Sequence, residues 1–259
     1  MLPTPSSKVR PTSGASGRSA RQDDYIVEAA WLYFHEGLNQ GDIAKRLDIS
    51  RASVVNYLAE ARRRDYVRIT LDSDVFSNNQ LASDLKQEFG ILEALIVLED
   101  PTSKARSFER VIRAASDWLP KHLNTGDQLG VAWGETIYRL AEVAPKLDLS
   151  DLTIVQLIGS KPSKIGFAAE NCAATLALRF GAHCANLHAP LLLSTSELCE
   201  SLKAEPMIAS QLETIANCTK VIFAVGTVDV NSHIALTGLL DTDILSKMGK
   251  QGAAGVICG

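Results

Sequence analysis

The first twenty-one residues offer almost nothing to bury. They are Pro, Ser, Thr, Gly and basic side chains, and they read as a disordered basic tail. From Asp23 the pattern changes: apolar residues recur at helical spacing through Tyr25–Val27 and Ala29–Phe34, and Gly37 falls where such a helix would stop. Asn39 then offers an N-cap, with Asp42 three residues on, to a short helix through Ile43–Leu47. Asp48-Ile49-Ser50 makes a turn whose serine can cap a third helix, running from Arg51 to about Arg64. In that helix Val54, Leu58 and Ala61 form the i, i+4, i+7 stripe that must be buried, and Arg51, Ala52, Ser53 and Asn56 point elsewhere. Tyr66–Leu71 alternates like a short strand, the wing that often follows such a unit.

Residues 72–80 are polar and read as a linker. Beyond them apolar, strand-like runs at Ala94–Leu98, Leu129–Trp133, Leu152–Ile158, Leu187–Leu193, Val221–Val225 and Ala253–Cys258 alternate with helical patterns. The helical stretches lie near Leu81–Phe89, Ser107–His122, Thr136–Leu147, Phe167–Phe180, Met207–Asn217 and Leu239–Met248. Continuously apolar strands with helices between them imply a parallel, Rossmann-like sheet covered on both faces. The expected organisation is therefore a tail (1–21), a small winged helix-turn-helix domain (22–71), a linker (72–80) and an α/β domain (81–259).

Composition narrows the class. With 46% hydrophobic and 22% charged residues the chain is neither disordered, collagen-like nor a coiled coil. No apolar run approaches the ~18 residues of a membrane helix, and the N-terminus lacks a secretory apolar core. The five cysteines form no C-x-x-C pair and read as small core residues of a cytoplasmic protein. The net charge of −4 divides unevenly: +3 through Leu71 and −7 beyond it, a basic head on an acidic body.

Two constellations carry candidate chemistry. Small and amide side chains at the start of the third helix, with Arg62-Arg63-Arg64 at its end, are what a recognition helix needs to enter the major groove of double-stranded DNA. Asn56 can present its amide to adenine, Arg51 can reach guanine or phosphate, and the arginine cluster suits phosphates. Gln40, Ser50, Arg51, Ala52, Ser53, Asn56, Arg62 and Arg63 are the candidate DNA-binding residues. The plainer reading is a three-helix structural module with a solvated basic face.

In parallel sheets, ligands bind beyond the carboxyl ends of the strands. Three such ends carry Gly turns: Gly134-Glu135-Thr136 after Trp133, Gly159-Ser160-Lys161, and Gly226-Thr227 with Asp229, Asn231 and Ser232 close behind. Helix-start N–H groups, hydroxyls and one lysine suit a carbohydrate or sugar phosphate, although Gly also serves simply to leave a strand. Dinucleotide-binding, P-loop, nucleophile-elbow and zincin motifs are absent, so neither cofactor nor metal is expected. His183 and His188, flanking Cys184, read as core packing. Lys161 and Lys164 read as charge-paired or solvated side chains rather than imine formers.

These residues together resemble the SorC-type sugar-sensing transcriptional regulators. Gln40-Gly41-Asp42-Ile43-Ala44-Lys45-Arg46-Leu47 with Ile49-Ser50-Arg51-Ala52-Ser53-Val54 is similar to the family's helix-turn-helix. Trp133-Gly134-Glu135-Thr136 is similar to its Trp-Gly-x-Thr effector turn, and Gln156-Leu157-Ile158-Gly159-Ser160 to its Gln-Leu-x-Gly-Gly strand end. Leu187-His188-Ala189-Pro190-Leu191, Val225-Gly226 and Gly252–Gly259 also fit. The resemblance implies an effector domain related to sugar-phosphate isomerases, a usually phosphorylated carbohydrate effector, and homo-oligomers, dimeric or tetrameric, on repeated operator half-sites. There are departures: Val55-Asn56 replaces a frequent Ser-Arg, Ser160 a second Gly, and Val256 a frequent Asp. The family also continues past the position of Gly259, which implies an effector domain incomplete at its C-terminus. A sugar-phosphate isomerase-like enzyme, or a regulator that has lost sensing, are the competing readings.

Overall fold

The computed structural model describes residues 16–70, 79–161 and 167–258. The first fifteen residues of the expected tail, most of the expected linker and Lys164 lie outside them. Contacts divide the chain into two units, Met1–Thr70 and Leu71–Gly259.

The first unit is three helices, α1 (Ser16–Phe34), α2 (Gln40–Arg46) and α3 (Arg51–Arg63). The first begins earlier than the apolar spacing predicts, so residues 16–21 of the expected tail are helical. Capping sets the other two. The Asn39 Oδ1 accepts the Gly41 and Asp42 N–H groups at 2.9 and 3.0 Å, and the Ser50 Oγ accepts the Ser53 N–H at 3.0 Å. Between them Asp48 takes a left-handed φ of 52°, which a short polar side chain tolerates. Val54, Leu58 and Ala61 of α3 are buried against Ile26, Ala29, Leu32 and Ile43. A helix as short as α2 is held by this packing rather than by its own propensity. Of the expected wing, residues 66–70 form no strand among the described residues, Val67 packs on the helical core, and Leu71 lies outside the described residues.

The second unit contains α4 (Gln80–Phe89), α5 (Lys104–Trp118) with a 3₁₀ turn (Leu119–His122), β1 (Gln128–Val131), α6 (Glu135–Val143), β2 (Thr153–Gln156), α7 (Ala169–Phe180), β3 (His183–Ala185), α8 (Ser196–Ala204), α9 (Pro206–Ala216), β4 (Lys220–Ile222), β5 (Val225–Gly226), α10 (His233–Leu236), α11 (Thr242–Lys250) and β6 (Val256–Ile257). Four strands form a parallel sheet in the order β3-β2-β1-β4. Leu129, Val131 and Ile154 join Ile137, Leu140, Leu176 and Phe180 in the main core.

Several expected strands differ. Ala94–Leu98 forms no ladder among the described residues: Ala94 to Val97 are half-buried and Leu98 is exposed. Leu187–Leu193 is interrupted by Pro190, which has no N–H to donate, and among the described residues it keeps the single bridge between Ser160 and Pro190. The strand in that region is β3, upstream, at the sheet edge. His183 and Cys184 are therefore exposed rather than core residues. The last apolar run yields β6, which pairs antiparallel with β5 outside the main sheet. Of the cysteines only Cys172 is buried.

At the amino end of β1 and β4, Asp127 ties the two strands together. Its carboxylate accepts from Thr219 Oγ1 at 2.7 Å, from the Asn124 N–H at 2.6 Å and from the Lys220 ammonium. The Lys220 hydrogen bond, followed by that from Asn124, lowers its pKa from 3.8 to about 2. A carboxyl held below its unfolded value stabilises the fold above the ordinary carboxylate range, and this contribution is lost as pH falls from about 4 to 2. Asp127→Asn is expected to cost about 1–2 kcal/mol, because water still reaches and screens Lys220. Urea denaturation at pH 7 measures it, and the gap between variant and parent closes towards pH 2. At the other end of β2, a Cβ on Gly159 would stand 2.6 Å from the Pro190 carbonyl. Gly159→Ala is expected to destabilise by about 1–3 kcal/mol in the same experiment.

Candidate functional site

In the first unit, α3 presents Arg51, Ala52, Val55 and Asn56 to solvent, while its opposite side is the core stripe. Ser50 and Ser53 are engaged with each other as the cap, their Oγ atoms 2.9 Å apart. Gln40, at the first position of α2, and Arg51, at the first position of α3, share one groove of about 420 Å³ with Tyr33, Asn39 and Gly41. The start of α3 and the start of α2 thus open on the same side.

The three arginines do not form a free cluster. Arg62 lies over the Phe34 ring at 5.2 Å. Arg63 holds Glu60 through two hydrogen bonds of 2.7 and 2.5 Å, and Arg64 joins Glu60 to Asp23 of α1 at 2.5 Å each. These hydrogen bonds from Arg63 and Arg64 keep the Glu60 carboxyl at about 2, below its usual 4.5. The run of charge was visible in the sequence; its partners were not. Arg63 remains open, with its side chain 71% exposed, whereas that of Arg64 is 30% exposed.

In the second unit the strand order itself makes a site. The chain leaves β1 towards β2 and β3 on one side, then returns to place β4 on the other, so the loops after β1 and β4 diverge and leave a crevice. A cavity of about 290 Å³ lies there. Trp133, Gly134, Glu135 and Thr136 line it from the β1 turn, and Gly226, Thr227 and Asn231 from the segment after β4. Gly134 caps α6 with φ 106° and no side-chain hydrogen bond, a backbone that glycine adopts without strain. The start of α6 therefore lines the cavity with a cap position that carries no side chain, which suits a sugar oxygen or an anion.

The polar groups are partly committed. The Glu135 carboxylate turns back to Arg139 at 2.8 Å, and Arg139 also holds Glu109 at 2.7 Å. The Thr227 hydroxyl donates to Asp229 at 2.5 Å, and Asp229 also receives the Asn231 N–H at 2.9 Å, so one carboxylate shapes this loop. Beneath the β1 turn the Cys172 thiol faces the Gly134 carbonyl at 3.9 Å, and burial pushes its pKa to about 12, leaving it an inert packing group.

The third Gly turn does not join this cavity. Gly159 is pressed against the backbone of Ala189 and Pro190, and Ser160 bridges to Pro190 beside a separate groove. The Lys161 ammonium donates to the carbonyls of Thr237 and Gly238. Conversely, Phe108, Ile234, Leu236 and Cys258 line the cavity although strand-end reasoning did not select them. Each is an apolar side chain on a segment whose position depends on tertiary contacts, and only Val225-Gly226 pairing with Val256-Ile257 brings Cys258 there. Among the described residues no group of His, Cys, Asp and Glu could hold a metal ion, and no helix is long and apolar enough to cross a membrane.

Comparison with known proteins agrees with this architecture. The family model Sugar-bind, a sugar-binding domain, matches residues 73–259. The transcriptional regulator YjhU of Escherichia coli K12 is 32% identical over 244 residues, which is 92% of this chain and 74% of that protein. The deoxyribonucleoside regulator of Bacillus subtilis is 26% identical, over 90% of this chain and 74% of its own. The crystal structure of the full-length sorbitol operon regulator SorC from Klebsiella pneumoniae superposes with a TM-score of 0.65 at 22% identity, covering 91% of this chain and 78% of that one, and so shares the fold. With the capped helix-turn-helix and the crevice beside β1, this places the chain in the SorC-type family of sugar-binding transcriptional regulators.

Proposed function

We propose that the chain is a DNA-binding regulator whose operator affinity is set by a carbohydrate, free or phosphorylated, in the crevice between the β1 and β4 loops. The observation that carries this reading is the convergence of two turns distant in sequence, Trp133–Thr136 and Gly226-Thr227, on one cavity at the reversal of strand order. Thr136 and Asn231 supply hydrogen-bonding groups, the start of α6 supplies N–H groups, and Trp133 and Phe108 supply apolar faces for the carbon skeleton. Thr227, with its proton given to Asp229, serves as an acceptor for a ligand hydroxyl. Relatives named as regulators of deoxyribonucleoside, erythritol and sorbitol functions put sugars, polyols and their phosphates first among ligands to try.

The DNA contact belongs to the outward side of α3. Asn56 reads a base through its amide, Val55 offers an apolar contact to a thymine methyl, and Arg51 with Gln40 flanks the groove at the helix start. Arg63 contacts phosphate by leaving Glu60, and Arg62 acts beside it. A dimer or tetramer on repeated half-sites, in the cytoplasm, completes the proposal.

Two experiments test it. In gel shifts on the upstream region of its own gene, log affinity is expected to fall linearly with log salt. Asn56→Ala is expected to lose about 1–3 kcal/mol of discrimination at a single base pair. Arg63→Ala is expected to weaken all sequences alike and lower the salt slope by about one. Equal competition by random DNA would remove the reading. In thermal unfolding, a ligand present at about 100 times its Kd is expected to add about 2.7 kcal/mol, a rise of several degrees in Tm. A panel of polyols, sugars and their phosphates with no shift would exclude the crevice as their site.

A further inference from the structure

Lys161 contributes no surface to the ligand cavity, yet it is bound to one of its walls. Its backbone is anchored, because the Ser160 N–H donates to the Ala189 carbonyl at 2.8 Å and the Leu191 N–H to the Ser160 carbonyl at 2.9 Å. From this root its Nζ donates to the carbonyls of Thr237 at 3.0 Å and Gly238 at 2.8 Å. Those two carbonyls follow α10 directly, and α10 carries Ile234 and Leu236, which line the cavity.

The chemistry of the contact is specific. The carbonyls of Thr237 and Gly238 lie in the turn just past α10, and a polarised main-chain carbonyl is a natural acceptor for an ammonium. A four-residue helix has little cohesion of its own. Within the segment the bonds include Leu236 N–H to Ser232, Gly238 N–H to Ala235, Leu239 N–H to Ile234 and the Thr237 hydroxyl to the Ile234 carbonyl, all local. The two bonds from Lys161 reach across 76 and 77 residues and fasten the segment to the end of β2. Hydrogen bonds from a charged donor are also the stronger kind.

We propose that Lys161 is a positioning residue of the effector site: its ammonium holds the Ile234–Leu236 wall in place from behind and does not touch the ligand. The sequence alone places this lysine on the ligand, and the contact with two main-chain carbonyls gives it a different task. The inference rests on the reading of the crevice as the effector site, and its test separates the two.

The first measurement is hydrogen exchange on the ligand-free full chain, comparing the parent with Lys161→Met and Lys161→Arg. Exchange across residues 231–240 is expected to rise about tenfold or more in the methionine variant, as two charge-assisted bonds are lost, with β1 and β2 unchanged. The arginine variant, which keeps the charge and several donors, is expected to restore most of the protection. Unchanged exchange in Lys161→Met overturns the proposal whatever the cavity binds. The second measurement is titration of erythritol, sorbitol and their monophosphates into the parent and Lys161→Met. A positioning role weakens neutral and phosphorylated ligands by the same factor, whereas a loss confined to the phosphates means direct contact and overturns the proposal. If none binds the parent, the reading of the crevice fails, and the exchange result alone decides the role of Lys161.

Discussion

The crevice proposed as the ligand site depends on one constraint: β1 lies between β2 and β4, with all three parallel. Parallel strands need crossovers, and crossovers that leave a central strand in opposite directions part at its carboxyl end. The opening between them cannot be filled by backbone without breaking the ladder. Two turns meet there, one opening α6 at Gly134 and the other shaped by Asp229. The Asp127 tie to Thr219 and Lys220 secures the same pair of strands at the opposite end, so the register that builds the crevice is held away from it. The polar tie and the polar groups lining the crevice are thereby separated along the strands.

The first unit follows a different logic, in which local chemistry does most of the work. Two side-chain caps start two helices, and a left-handed Asp48 turns the chain between them. The burial stripe of α3 then leaves Arg51, Val55 and Asn56 outward. Charge on α3 is used twice. Glu60 gathers Arg63 and Arg64, and Arg64 reaches Asp23, so part of the basic end braces α3 against α1. The exposed Arg63 thus has a carboxylate partner on its own helix.

Local signals were legible where the physics is local. The caps at Asn39 and Ser50, the buried stripe Val54, Leu58 and Ala61, and the helices ending near Phe89, Phe180 and Met248 all depend on neighbours within a turn or two. The strands β1 and β2 were legible because burial on both sides demands continuous apolar runs, and β4, a half-exposed edge strand, lies at the start of the apolar run Val221–Val225. Apolar character alone does not supply a partner. Residues 66–70 and Ala94–Leu98 have the composition of strands and form none, and exposed β3 has little of that composition and is one.

The amino-acid sequence by itself determined the capped helix-turn-helix, the alternation that makes an α/β unit, and the Gly-bearing strand ends from which a site could be drawn. Only the tertiary structure decided which of those ends meet. It joined Trp133–Thr136 with Gly226-Thr227, set Gly159 against Pro190, and sent the Lys161 ammonium to the carbonyls after α10. The reason is one of range. Capping and helical periodicity act over three or four residues, whereas strand order and the partner of a long cationic side chain are settled between segments some eighty residues apart.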